Sequence, residues 1–156
     1  MERTTKNSLI IKASPREIYS AFTNPAALEI WQAPGNMTAK VLGFNLEAGG
    51  GYSMSLFYPE AETTVSGKTA AKEDRFTARF LELEQDKRIV EAISFDTEDP
   101  GFKGEMKMEV TLEAMPVGTN VTIVFKNIPE GIKPEDNEAG TNSSLLKLAK
   151  YIGTRS

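Results

Sequence analysis

The chain has 156 residues, 40% hydrophobic and 26% charged, with net charge −4 and a pI near 5.0. It has no cysteine and no histidine, which excludes disulfides, thiol nucleophiles, zinc sites built on those ligands and histidine acid–base chemistry. The acidic balance argues against a nucleic-acid partner, and the apolar runs are too short for membrane insertion. The length fits a single domain with a sizeable core, residues 1–156. The opening Met1-Glu2-Arg3-Thr4-Thr5-Lys6 lacks the apolar stretch of a secretory signal, so the expected location is cytoplasmic.

Residues from about 4 to 12 alternate weakly and predict a first strand. Two helix starts follow in quick succession. Ser14-Pro15-Arg16-Glu17 is a capping box with proline at the first helical position, leading into the stripe Ile18, Tyr19, Phe22. Asn24-Pro25 is a second start, leading into Leu28 and Trp31. A new start so soon after Phe22 forces a turn between two short helices. Such helices are marginal alone, so both stripes must be buried against a neighbour.

Almost everything after them reads as strand. A strand is expected over about 37–46, with Leu42, Phe44 and Leu46 on one face. Gly49-Gly50-Gly51 makes a turn, and Tyr52, Met54, Leu56 and Tyr58 then share a face over about 51–58. From Pro59 to about Asp74 a polar loop is expected, with a short strand near 64–66 and a solvated charged stretch from Lys68 through Lys72 to Arg75. Strands over about 75–83 and 88–95 join at Glu84-Gln85-Asp86-Lys87, and strands over about 103–115 and 119–127 join at Pro116-Val117-Gly118. A final helix over about 135–152 places Leu145, Leu148, Ala149 and Ile152 on one face, with Lys147, Lys150 and Arg155 towards its C-terminal end. The order is strand, two helices, six strands, helix. Short hairpins imply one antiparallel sheet whose apolar face needs a cover, and one long helix covers only part of it.

The chain resembles the START-like (SRPBCC) superfamily, and within it the family named after the activator of heat-shock protein 90 ATPase. The matching residues are Ala13-Ser14-Pro15 with Glu17-Ile18-Tyr19, then Ala21-Phe22-Thr23-Asn24-Pro25, Leu28, Trp31 and Pro34. Gly49-Gly50 before Tyr52 and Met54, the hairpin from Leu83 to Val90, Gly118-Thr119 with Val121, and Gly140 with Leu145, Leu148 and Ala149 complete the match. The resemblance implies an α+β helix-grip fold: a seven-stranded antiparallel sheet curved around a long C-terminal helix, with a cavity between them. It also implies binding of a hydrophobic or amphipathic small molecule. Some relatives bind lipids, some cyclise polyketides and some stimulate a chaperone ATPase, so a chaperone or a second copy of the chain is a further candidate partner. One departure is Thr141, which stands after Gly140 where the family usually has tryptophan.

The candidate ligand-binding residues are Tyr52, Met54, Leu56, Ile93, Phe95, Met106, Met108 and Val110 on the sheet, Trp31 from the second helix and Leu145 from the last. Plain core packing is the ordinary account of such stripes. Methionines suit a surface that accepts varied apolar ligands. Glu91 is the odd residue, because it is in phase with Ile89, Ile93 and Phe95 and regular alternation points it inward. It is either a polar anchor or acid–base group, or it is turned out by a bulge or paired with Arg75 or Arg79. An enzymatic alternative would use Glu91 with Tyr52 or Tyr58. No phosphate loop or dinucleotide fingerprint is present, and no cofactor or metal is expected.

Overall fold

The computed structural model describes residues 3–33, 36–58, 73–97 and 99–153. The elements are β1 (Thr5–Ile11), α1 (Pro15–Phe22), α2 (Pro25–Trp31), β2 (Thr38–Asn45), β3 (Gly51–Phe57), β4 (Glu73–Glu84), β5 (Arg88–Phe95), β6 (Glu105–Met115), β7 (Gly118–Lys126) and α3 (Pro134–Gly153). A 3-10 turn, Pro100–Phe102, lies in the loop where no regular structure is expected from the sequence. The strand expected near 64–66 lies outside the described residues, as do Pro34, Lys68, Lys72 and Arg155.

The seven strands form one antiparallel sheet in the order β1-β7-β6-β5-β4-β3-β2. Consecutive strands are neighbours from β2 to β7, as short hairpins require, whereas β1 and β2 sit at opposite edges. The helix pair therefore carries the chain across from one edge to the other. At each start the local chemistry works as the sequence predicts. The Ser14 hydroxyl accepts from the Glu17 amide at 3.2 Å, and the Glu17 carboxylate accepts from the Ser14 amide at 3.5 Å. Asn24 Oδ1 accepts from the amides of Ala26 and Ala27 at 2.9 and 3.3 Å. The helices lock to each other through Trp31, whose indole donates to the Ala21 carbonyl at 3.0 Å and meets the Phe22 ring edge to face at 4.7 Å. At the sheet edge, the Glu29 carboxylate of α2 accepts the Val41 amide of β2 at 2.8 Å.

The inner face collects the apolar stripes of the strands, and Leu145, Leu148 and Ile152 of α3 are buried in the same core. The outer face is polar, with Arg88 bridging Glu82 and Glu109 while Lys126 also reaches Glu109.

Two irregularities set which side chains point inward. Between Leu42 and Asn45 the register of β2 against β3 shifts. Gly43 takes φ +58°, a conformation that suits a residue without Cβ. Leu42 lies opposite Ser53 on the outer face, while Phe44 stacks inside on Tyr52 at 5.4 Å. The expectation that Leu42, Phe44 and Leu46 share a face is thus corrected by a bulge. The second shift lies in β4, between Phe80 and Glu82. Leu81 is extruded and exposed, and Phe80 faces Glu91 across the strands. A bulge near Glu91 does exist, but on the partner strand, so it does not turn Glu91 outward.

Candidate functional site

Between the inner face of the sheet, the end of α2 and α3 lies a cavity of about 420 Å³. Its floor comes from alternate residues of neighbouring strands. Met54 and Leu56 belong to β3, Phe76 to β4, Ile93 and Phe95 to β5, and Met106 and Met108 to β6. Trp31 and Phe22 line it from the helix pair, and Thr141 and Ser144 from α3. The Gly131 amide donates to the Gly101 carbonyl at 2.6 Å, tying the loop after β7 to the 3-10 turn. An added Cβ on Gly131 would stand 2.7 Å from that carbonyl oxygen. This close approach accompanies the entry of Phe102 and Ile132 into the lining.

Two sets of buried polar groups stand at the site. In the first, the Tyr58 phenol donates to Asp74 at 2.7 Å, and both residues line the cavity. Asp74 is 1% exposed and faces inward on β4 opposite Leu56. Burial and the Asp74 carboxylate hold the Tyr58 hydroxyl well above the ordinary phenol range. The second set runs away from the cavity. The Tyr52 phenol donates to the Glu91 carboxylate at 3.1 Å, and the Gln32 side chain, just past the end of α2, acts on the same phenol. Gln32 keeps its Oε1 buried without a hydrogen-bond partner. Its backbone carbonyl accepts from the Ser144 hydroxyl at 2.7 Å, which fastens α2 to α3 beside the cavity. Glu91 is 2% exposed, and burial pushes its carboxyl up to about 7, offset in part by the Tyr52 hydrogen bond. Burial and the Glu91 charge in turn raise the Tyr52 phenol.

A family model described as Activator of Hsp90 ATPase homolog 1-like protein matches residues 12–153. The chain belongs to this family. The crystal structure of a protein from Chromobacterium violaceum is 31% identical, with 96% of each chain covered and a TM-score of 0.85. A solution structure from Staphylococcus epidermidis shares 18% identity and covers 100% of this chain and 93% of its own, with a TM-score of 0.78. An AHSA1-like protein from Aeromonas hydrophila shares 16% identity over 97% of this chain and 93% of its own, with a TM-score of 0.74. These last two show a common fold. Comparison with curated protein sequences gives no match. No helix among the described residues is long and apolar enough to cross a membrane.

Of the residues singled out in the sequence, Trp31, Met54, Leu56, Ile93, Phe95, Met106 and Met108 line the cavity of this activator-homologue domain. Tyr52, Glu91, Val110 and Leu145 do not. Val110 and Leu145 are fully buried in the core, and Glu91 sits behind the wall with Tyr52 between it and Gln32. The pairing of Glu91 with an arginine is also overturned. Arg75 and Arg79 pair with Ser55 and Gly51 in the register and so share the outer face, and Arg79 bridges to Glu105 at 3.6 Å. Thr141 lines the cavity and returns its hydroxyl to the Asn137 carbonyl at 2.8 Å. Gln32 and Asp74 escaped the sequence reading. Asp74 could have been found from the inward phase of Phe76, two residues along the same strand.

Proposed function

We propose that this domain binds a hydrophobic or amphipathic small molecule in the cavity between sheet and α3. Trp31, Met54, Leu56, Ile93, Phe95, Met106 and Met108 form the contact surface. The observation that carries the reading is the 420 Å³ cavity itself, floored by methionine and aromatic side chains where a solid core would have closed. Val110 and Leu145 are buried in the core beside the cavity, and Glu91 with Tyr52 lies outside its lining. Location in the cytoplasm and organisation as a single domain are part of the same proposal.

Native mass spectrometry of the protein isolated from its own cells tests this. The expected result is a co-purifying small molecule, lost in a Thr141→Trp variant that fills the cavity from α3 while remaining folded. A ligand retained by the filled variant would place binding elsewhere and overturn the reading.

A further inference from the structure

The hydroxyl and indole protons of the cavity wall are already committed. Among the described residues of the lining, those donors belong to Trp31, Tyr58, Thr141 and Ser144, each with one proton to give. Trp31 donates to the Ala21 carbonyl at 3.0 Å and Tyr58 to Asp74 at 2.7 Å. Thr141 donates to the Asn137 carbonyl at 2.8 Å and Ser144 to the Gln32 carbonyl at 2.7 Å. The lining also holds two side-chain amides, Gln32 and Asn137. Asn137 Oδ1 accepts from the Thr5 hydroxyl at 2.5 Å. Gln32 is held through both of its backbone groups, since its amide donates to the Leu28 carbonyl at 3.0 Å while its carbonyl receives Ser144. Its side-chain Oε1 is nevertheless buried without a donor. A buried acceptor that lacks a donor raises the free energy of the site, and an occupant that supplies one relieves it. Such a wall favours a ligand that brings a proton over one that only accepts.

We infer that the cavity selects ligands whose polar end is a hydroxyl on an aromatic or apolar body, with Gln32 Oε1 as the acceptor of its proton and ethers disfavoured. This rests on the binding function proposed above and narrows it to a chemical class. Gln32 follows the end of α2 and is tied to α3 through Ser144, so its backbone has a fixed place in the wall.

The test uses two isomers of one formula, 4-phenylbutan-1-ol and methyl 3-phenylpropyl ether. They match in length and aromatic body, and only the alcohol has a proton to donate. Trp31, the sole tryptophan, lies in the lining, so its emission and titration calorimetry both report binding. The alcohol should bind the wild type about tenfold more tightly than the ether. Gln32→Met keeps the length of the side chain and removes the acceptor. It should bring the isomers to within about threefold and leave the affinity for the ether unchanged, which also checks that the variant is folded. If the ether binds the wild type as tightly as the alcohol, the cavity reading stands and this inference falls, whether or not the variant folds. A gap that survives in the variant would place the acceptor elsewhere, and an equal loss for both isomers would make Gln32 a structural residue; either overturns the assignment. Should neither isomer bind, both readings fall.

Discussion

Replacing Glu91 by glutamine keeps the shape of a buried side chain and removes its titration. The structure sets both the sign and the size of the effect. Burial raises the Glu91 carboxyl from 4.5 to about 7. Between those values the folded protein holds a proton that the unfolded chain has released. Glu91 therefore contributes stability that is fully present below pH 4.5 and is lost as pH rises through about 7. At about 1.4 kcal/mol per pH unit, the span amounts to roughly 3 kcal/mol. Groups that titrate on the outer face, such as Glu109 with Arg88 and Lys126, are common to both proteins and cancel in the difference. Urea unfolding followed by Trp31 emission from pH 4.5 to 8.5 should show the two proteins converging at the acid end. At pH 8 the glutamine variant should be the more stable by up to roughly 3 kcal/mol. Parallel curves would show that Glu91 is not held in apolar surroundings. A wild type more stable than the variant at pH 8, with that advantage shrinking towards acid, would show a cation paired with it, and either result would refute the reasoning.

Tyr52→Phe removes the donor that favours the charged form of Glu91. It should destabilise by about 1–3 kcal/mol at pH 8 and by less at pH 5, where the carboxyl is largely protonated; equal losses at both pH values would count against the pairing. Ser14→Ala should lower unfolding stability by about 1 kcal/mol through loss of the cap on α1, read as a shift in the urea midpoint with unchanged slope. Gly51→Ala should cost more than about 3 kcal/mol, because the new Cβ would stand 2.0 Å from the Ala78 carbonyl oxygen on paired backbone that cannot yield; near wild-type thermal stability would contradict the β3–β4 register.

The helix starts were legible because a cap is local: Ser14 with Glu17, and Asn24 with Pro25, carry their partners within a few residues. The inward stripes of β3, β5 and β6 were legible because a period of two needs no knowledge of neighbours. What depended on pairing was not. Leu42 and Phe44 diverge at Gly43, and alternation carries no mark of a bulge. Glu91 was correctly phased, yet the irregularity beside it belongs to β4, where Leu81 gives no warning. The Tyr58–Asp74 pair joins residues on either side of a long polar stretch, so it exists only once β3 and β4 are in register. The alternation that marks Val110 as inward cannot say whether an inward residue meets a cavity or a neighbour. That distinction depends on how closely α3 approaches the sheet.

The contact between Glu29 and the Val41 amide has a consequence for the fate of the protein under stress. β2 is a terminal strand of the sheet, and an unpaired edge offers its amides to any strand that passes. While α2 is docked, a carboxylate occupies one of those amides and puts negative charge in the path of an incoming chain. If α2 lifts away, that protection leaves with it, and β2 becomes a template before the rest of the sheet has opened. Aggregation should then begin from a nearly native state, and substitutions that loosen the helix pair should shorten shelf life more than they lower the melting temperature.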